Sequence, residues 1–131
     1  MHSETITVLI PAPKSSVFNY MADLSNMPEW ATEFCLDLKI EQGNYKATTP
    51  MGEMIVDVSV DEATGVIDFF ASPDGQADIP LATRVLSLPN GQTVYMAAFF
   101  QEPGISDEVY QQQLGSIRKE MDNLKSLFSQ A

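Results

Sequence analysis

Residues Thr5 to Ile10 alternate between polar and apolar, with Ile6, Val8 and Ile10 on one side, which is the period of a half-buried strand. Pro11 and Pro13 end that run, because neither can donate to a strand ladder. Pro13 suits a first helical turn, and Val17, Met21 and Leu24 then recur at helical spacing, with Phe18 and Ala22 beside them. Asn26 followed by Glu29 has the form of a capping box, so a second short helix is expected through Trp30 toward Phe34.

After Cys35 the texture changes to short strands between turn signals. Leu36 to Glu41 and Tyr45 to Thr49 flank Gly43-Asn44; Glu53 to Asp61 follows Pro50-Met51-Gly52, and Val66 to Ala71 follows Ala63-Thr64-Gly65. The polar stretch SPDGQADIP predicts a longer loop before a strand over Thr83 to Leu88. Pro89-Asn90-Gly91 then turns the chain into the most apolar run, TVYMAAFF. Seven strands result, six of them in hairpin succession, so the sheet is expected to be antiparallel. Ser106 opens a final helix with Asp107 and Glu108 in its first turn, where the helix dipole favours negative charge. Its apolar residues, Tyr110, Leu114, Ile117, Met121, Leu124 and Phe128, are spaced 4, 3, 4, 3, 4, one continuous stripe. Such a helix is about 34 Å long and must bury that stripe, for which the sheet is the only sizeable apolar partner. Gly115 interrupts it at a cost of roughly 1 kcal/mol, and either serves a close approach or is simply tolerated.

The chain of 131 residues fits one domain over 1–131, with a single core. Eighteen acids against seven Lys and Arg give a net charge of −11, and between Ala47 and Ile117 only Arg84 is basic. That surface repels phosphate backbones and anionic headgroups, so neither nucleic acid nor membrane insertion is expected. The amino-terminal MHSETITV lacks the basic-then-apolar form of a secretory signal, and no apolar run is long enough for a membrane helix; a cytoplasmic protein is expected. Cys35, the sole cysteine, is read as a small buried apolar residue, with a nucleophilic role as the alternative. His2, the sole histidine, is read as a solvated terminal residue, so no metal or cofactor is expected.

The order strand, two short helices, six strands, long helix resembles the helix-grip fold of the SRPBCC superfamily. Its local carriers are IPAPKSSVFNYMADLSNMPEW, TPMGEMIVDV, GVIDFFASPDG and EPGISDEVYQQQLGSIRKEMDNLKSLF, and in detail they look like small bacterial stand-alone members described as polyketide cyclase/dehydrase-like. The resemblance implies an α+β fold, a curved seven-stranded antiparallel sheet gripping the C-terminal helix, with a cavity between them and the short helices closing one end. It implies binding of a small hydrophobic, lipid- or polyketide-like molecule there. A cyclase or dehydratase using the same cavity is the alternative, and a chaperone-activator-like adaptor the third reading.

On this view the ligand-contacting candidates are Trp30 at the cavity mouth, Val58, Phe69, Arg84, Tyr95, Phe99, Leu114, Ile117 and Met121. Arg84, if it points inward, gives an apolar cavity one cation suited to a carboxylate or a polarised carbonyl; otherwise it is a surface arginine paired with an acid such as Asp68. Without a suitable histidine, proton transfer would fall to Asp68, Tyr95 or Glu53, and no catalytic role is assigned to any of them. Either face of strand 92–100 could line the cavity. The other face would be covered by the helix or by a second subunit in a homodimer.

Overall fold

The computed structural model describes residues 1–129. Its elements are β1 (Ser3–Ile10), α1 (Lys14–Ala22), a single 3₁₀ turn (Leu24–Asn26), α2 (Met27–Trp30), β2 (Asp37–Glu41), β3 (Asn44–Thr49), β4 (Gly52–Asp61), β5 (Val66–Ser72), β6 (Leu81–Ser87), β7 (Thr93–Phe100) and α3 (Asp107–Ser129). The seven strands form one antiparallel sheet in the order β1-β7-β6-β5-β4-β3-β2. This is the α+β helix-grip arrangement that the element order predicted. No helix among the described residues is long and apolar enough to cross a membrane.

Register decides which side of each strand faces the helix. Ile6 and Thr83 both sit opposite Ala97, Val8 and Val85 opposite Tyr95, Ile67 opposite Thr83, and Phe69 opposite both Val58 and Leu81. Ile67, Val85, Tyr95 and Ala97 are buried, so this is the inner face and the Tyr95, Ala97, Phe99 side of β7 is the one that points in. Arg84 pairs across the sheet with Val66 and Met96 on the outer face.

The local chemistry of the front helices differs from the capping-box expectation. Asn26 makes no side-chain cap; its Nδ2 donates to the Tyr20 carbonyl at the end of α1 (3.0 Å), and Glu29 accepts instead from the Tyr20 hydroxyl (2.7 Å). The cap is Asp23, which accepts from the Ser25 amide (3.0 Å), and α2 stops after one turn at Trp30. Ser106 does cap α3, accepting from the Val109 amide (3.2 Å). The first hairpin turns on Gln42-Gly43, both at positive φ, one residue earlier than Gly43-Asn44. His2 is tied down: it exchanges hydrogen bonds with Gln101, and its ring stacks on Tyr110 with centroids 5.9 Å apart.

The long helix packs directly against β1 and against α2. Arg118 reaches Glu4 (2.7 Å), the Tyr110 hydroxyl donates to the Phe99 carbonyl (3.0 Å), and the Phe99 and Tyr110 rings stack 5.3 Å apart. Tyr110, Leu114 and Leu124 of α3 are fully buried. Between α3 and the inner faces of β4 to β7 a gap remains.

Gly65 and Gly115 illustrate opposite fates of a glycine. A Cβ on Gly65, which has φ +80°, would collide with the Val85 carbonyl, whereas one on Gly115 would meet nothing within 4 Å. Gly115 therefore mediates no close approach. Gly115→Ala is expected to stabilise the protein by about 1 kcal/mol, read as a higher urea midpoint at unchanged m-value.

Candidate functional site: a cavity between sheet and helix

The gap is a cavity of about 590 Å³. Its floor is sheet: Met54 and Val56 of β4, Phe69 of β5, Leu81 of β6, and Tyr95, Ala97 and Phe99 of β7. Met27, Trp30, Ala31 and Phe34 close one end, as the resemblance implied for the short helices. The mouth lies where β6 begins only at Leu81, so that Phe70, Ala71 and Phe100 of the flanking strands have no β6 residue between them. Three exposed apolar side chains rim it, Met51, Ile79 and Val109. An apolar concavity of this size is what small-molecule sites look like. A second hollow of about 420 Å³ lies against β3 to β5 beneath the turn after β5, walled by strand residues such as Tyr45, Ile55 and Phe70 and by Asp74 and Gly75.

The helix wall is different. Val109, Gln113, Ser116 and Glu120 line the cavity at spacings of 4, 3 and 4, a second stripe beside the apolar one and mostly polar. Ile117 and Met121, on the border between the two stripes, also line the cavity, whereas Leu114 is fully buried and does not.

Glu120 is the polar centre of this wall. It is only 7% exposed, and its Oε2 accepts from the backbone amides of Phe34 (2.9 Å) and Glu33 (3.1 Å). One turn on, Asn123 Nδ2 donates to the Trp30 carbonyl (3.1 Å) and to Thr32 Oγ1 (2.8 Å). Together they fasten residues 30–34, the end wall of the cavity, to α3. No hydrogen bond among the described residues engages Glu120 Oε1. Burial pushes the Glu120 carboxyl up to about 7 against the pull of its two amide donors, and nearby Glu33 adds to the rise. Tyr95 is raised above the ordinary phenol range, chiefly by burial. Trp30, 6% exposed, sets its ring 5.9 Å from that of Phe69, and its buried indole Nε1 has no partner among the described residues.

Of the residues nominated from sequence, Trp30, Phe69, Tyr95, Phe99, Ile117 and Met121 line the cavity. Three do not. Arg84 is exposed on the outer face, where its Nε donates to the Thr64 carbonyl (3.0 Å), because Leu81, Thr83 and Val85 take the inner positions of β6. Val58 faces inward but packs against the core, and Leu114 is fully buried; neither lines the cavity. The proton-transfer candidates shift likewise. Asp68 is on the outer face, and Glu53 is an exposed partner of Lys39 (3.1 Å), which leaves Tyr95 inside. Cys35 is buried, and burial raises its thiol, which suits the apolar reading.

No family model matches the chain, and no curated protein matches it in sequence. Solved structures do. The protein XoxI from Bacillus cereus is similar at a TM-score of 0.74 with 15% identity, over 99% of this chain and 97% of that one. A START superfamily protein from Mycobacterium smegmatis is similar at 0.68 with 13% identity, over 99% of both chains, and Ara h 8.0201 at 0.67 with 16% identity, also over 99% of both. At such identities the likeness establishes the fold, and it is the helix-grip fold shared with a START superfamily protein.

A carboxyl with a folded value near 7 and an unfolded value near 4.5 holds its extra proton in the folded state between those two pH values. Its contribution to stability is therefore full below about pH 4.5 and is lost as pH rises through about 7, a change on the order of 3 kcal/mol. Glu120→Gln keeps an oxygen for the two amides and removes the titration. The difference in urea-unfolding free energy, variant minus wild type, is expected to grow by about that amount between pH 5 and pH 8; a constant difference would show that Glu120 does not titrate there.

Proposed function

We propose that the protein is a cytoplasmic carrier that binds a small hydrophobic, lipid- or polyketide-like molecule between the sheet and α3. The observation that carries this reading is the cavity itself. A volume of about 590 Å³ is bounded by aromatic, Met and aliphatic side chains that a solid core would have packed against one another. Its rim of exposed Met51, Ile79 and Val109 supports the same reading, since unpaired apolar side chains around an opening suit the passage of an apolar molecule. Burying such a molecule gains roughly 25 cal/mol per Å² of apolar surface, enough for micromolar affinity when the site is already formed.

Nile red, a neutral apolar dye, is expected to bind with a dissociation constant on the order of 10 μM. Ile117→Trp, which fills the cavity from the border of the helix wall, is expected to weaken that binding at least about tenfold while the fold persists by circular dichroism. Wild-type protein that leaves the dye unbound would refute the carrier reading.

A cyclase or dehydratase activity is the second reading, and Glu120 is the feature that favours it. A buried carboxyl titrating near neutral pH inside the cavity is suited to general acid–base transfer. In that case wild type turns over a β-hydroxy thioester and Glu120→Gln does not, though the variant still binds Nile red. A carrier shows no turnover in either form.

A further inference from the structure

The charges around the cavity say which end group it accepts. Glu33, Glu102 and Glu120 line it, with Asp57 at its margin on the outer face of β4, and no lysine, arginine or histidine is among the lining residues, the nearest cation being Lys119, which pairs with Glu33 (3.3 Å). The cation nominated from sequence, Arg84, is on the other side of the sheet. A bound carboxylate would thus be desolvated beside the buried Glu120 with no cation lining the cavity to offset it, a costly arrangement in an apolar site. The polar groups are also segregated. Apart from the Tyr95 hydroxyl the floor is apolar, whereas Gln113, Ser116 and Glu120 stand in one row on the helix wall, so an amphiphile lying on the sheet turns its polar end to that row. Glu120 Oε2 is already taken by two backbone amides, and Oε1 is left to accept one more donor.

We propose that the cavity selects hydrophobic molecules whose polar end is an uncharged hydrogen-bond donor, an alcohol, and rejects the corresponding carboxylates. The hydroxyl donates to Glu120 Oε1 and accepts in turn from Gln113 or Ser116 on the same row. This inference rests on the carrier reading and names the class of molecule carried.

The test is displacement of Nile red at pH 8 by three ligands of one chain length: decan-1-ol, methyl decanoate and decanoate. On wild-type protein decan-1-ol is expected to displace the dye at a concentration at least about tenfold lower than decanoate, with the uncharged, donor-free ester between them. In Glu120→Gln, checked for folding by circular dichroism, the ratio between decanoate and decan-1-ol is expected to fall at least about fivefold. Decanoate equal to or tighter than decan-1-ol on wild type overturns the selectivity while leaving the carrier reading standing. An ester as tight as the alcohol overturns the donor's role, and an unchanged ratio in Glu120→Gln overturns the assignment to that residue. If Nile red does not bind wild type at all, the carrier reading fails and takes this inference with it. The three-ligand series on wild type decides the selectivity even where the variant does not fold.

Discussion

The cavity exists because a buried carboxylate and an amide one turn apart hold the end wall against the long helix. Glu120 gathers the amides of Glu33 and Phe34, and Asn123 holds the Trp30 carbonyl and Thr32. Residues 31–36 have no regular secondary structure, so their backbone polar groups need partners from elsewhere. An apolar residue at position 120 would fill part of the gap but leave two amides unpaired, which is the costlier outcome in a buried place. The same carboxylate that fastens the wall therefore also faces the space, and the structural and chemical roles of the residue cannot be separated by deleting it.

Two seams fix where α3 runs. One is the stacked Phe99–Tyr110 pair with the Tyr110 hydroxyl on the Phe99 carbonyl, and the other is the Glu120–Asn123 clamp. Between them the helix shows the sheet a border, Ile117 and Met121, and a polar row, not its most apolar edge. Collapse of the sheet onto the helix would bury Gln113, Ser116 and Glu120 against Phe69 and Tyr95 without partners. The polar row thus helps to keep the space open.

The elements were legible because their periods are clean. Every strand and the final helix stand within a few residues of where alternation, turn residues and the 4, 3, 4, 3, 4 stripe placed them. The second helix was legible in its place but not in its cap or its length, since the spacing of Asn26 and Glu29 matches a cap that Asp23 and Tyr20 instead divide between them, and the helix ends at Trp30. For Arg84 the alternation of Leu81, Thr83 and Val85 held the answer, and the attraction of a lone cation obscured it. Glu120 left a signal too: it lies three residues after Ile117 and four before Leu124, inside the width of the apolar face, where a charge is expected only if something engages it. What no pattern could supply was that α3 sits over β1, because that depends on tertiary contacts between residues some hundred positions apart, such as Glu4 and Arg118.

β5 and β6 are paired only from Val66 to Phe69 on one side and from Leu81 to Arg84 on the other, and beyond that the two strands part into the loop that carries Ile79. The opening of the cavity is thus a fork in the sheet, bounded by backbone that has left its ladder. Widening it breaks no strand hydrogen bond and disturbs neither seam of α3. Opening of this fork can therefore run on the timescale of a loop, independent of global unfolding.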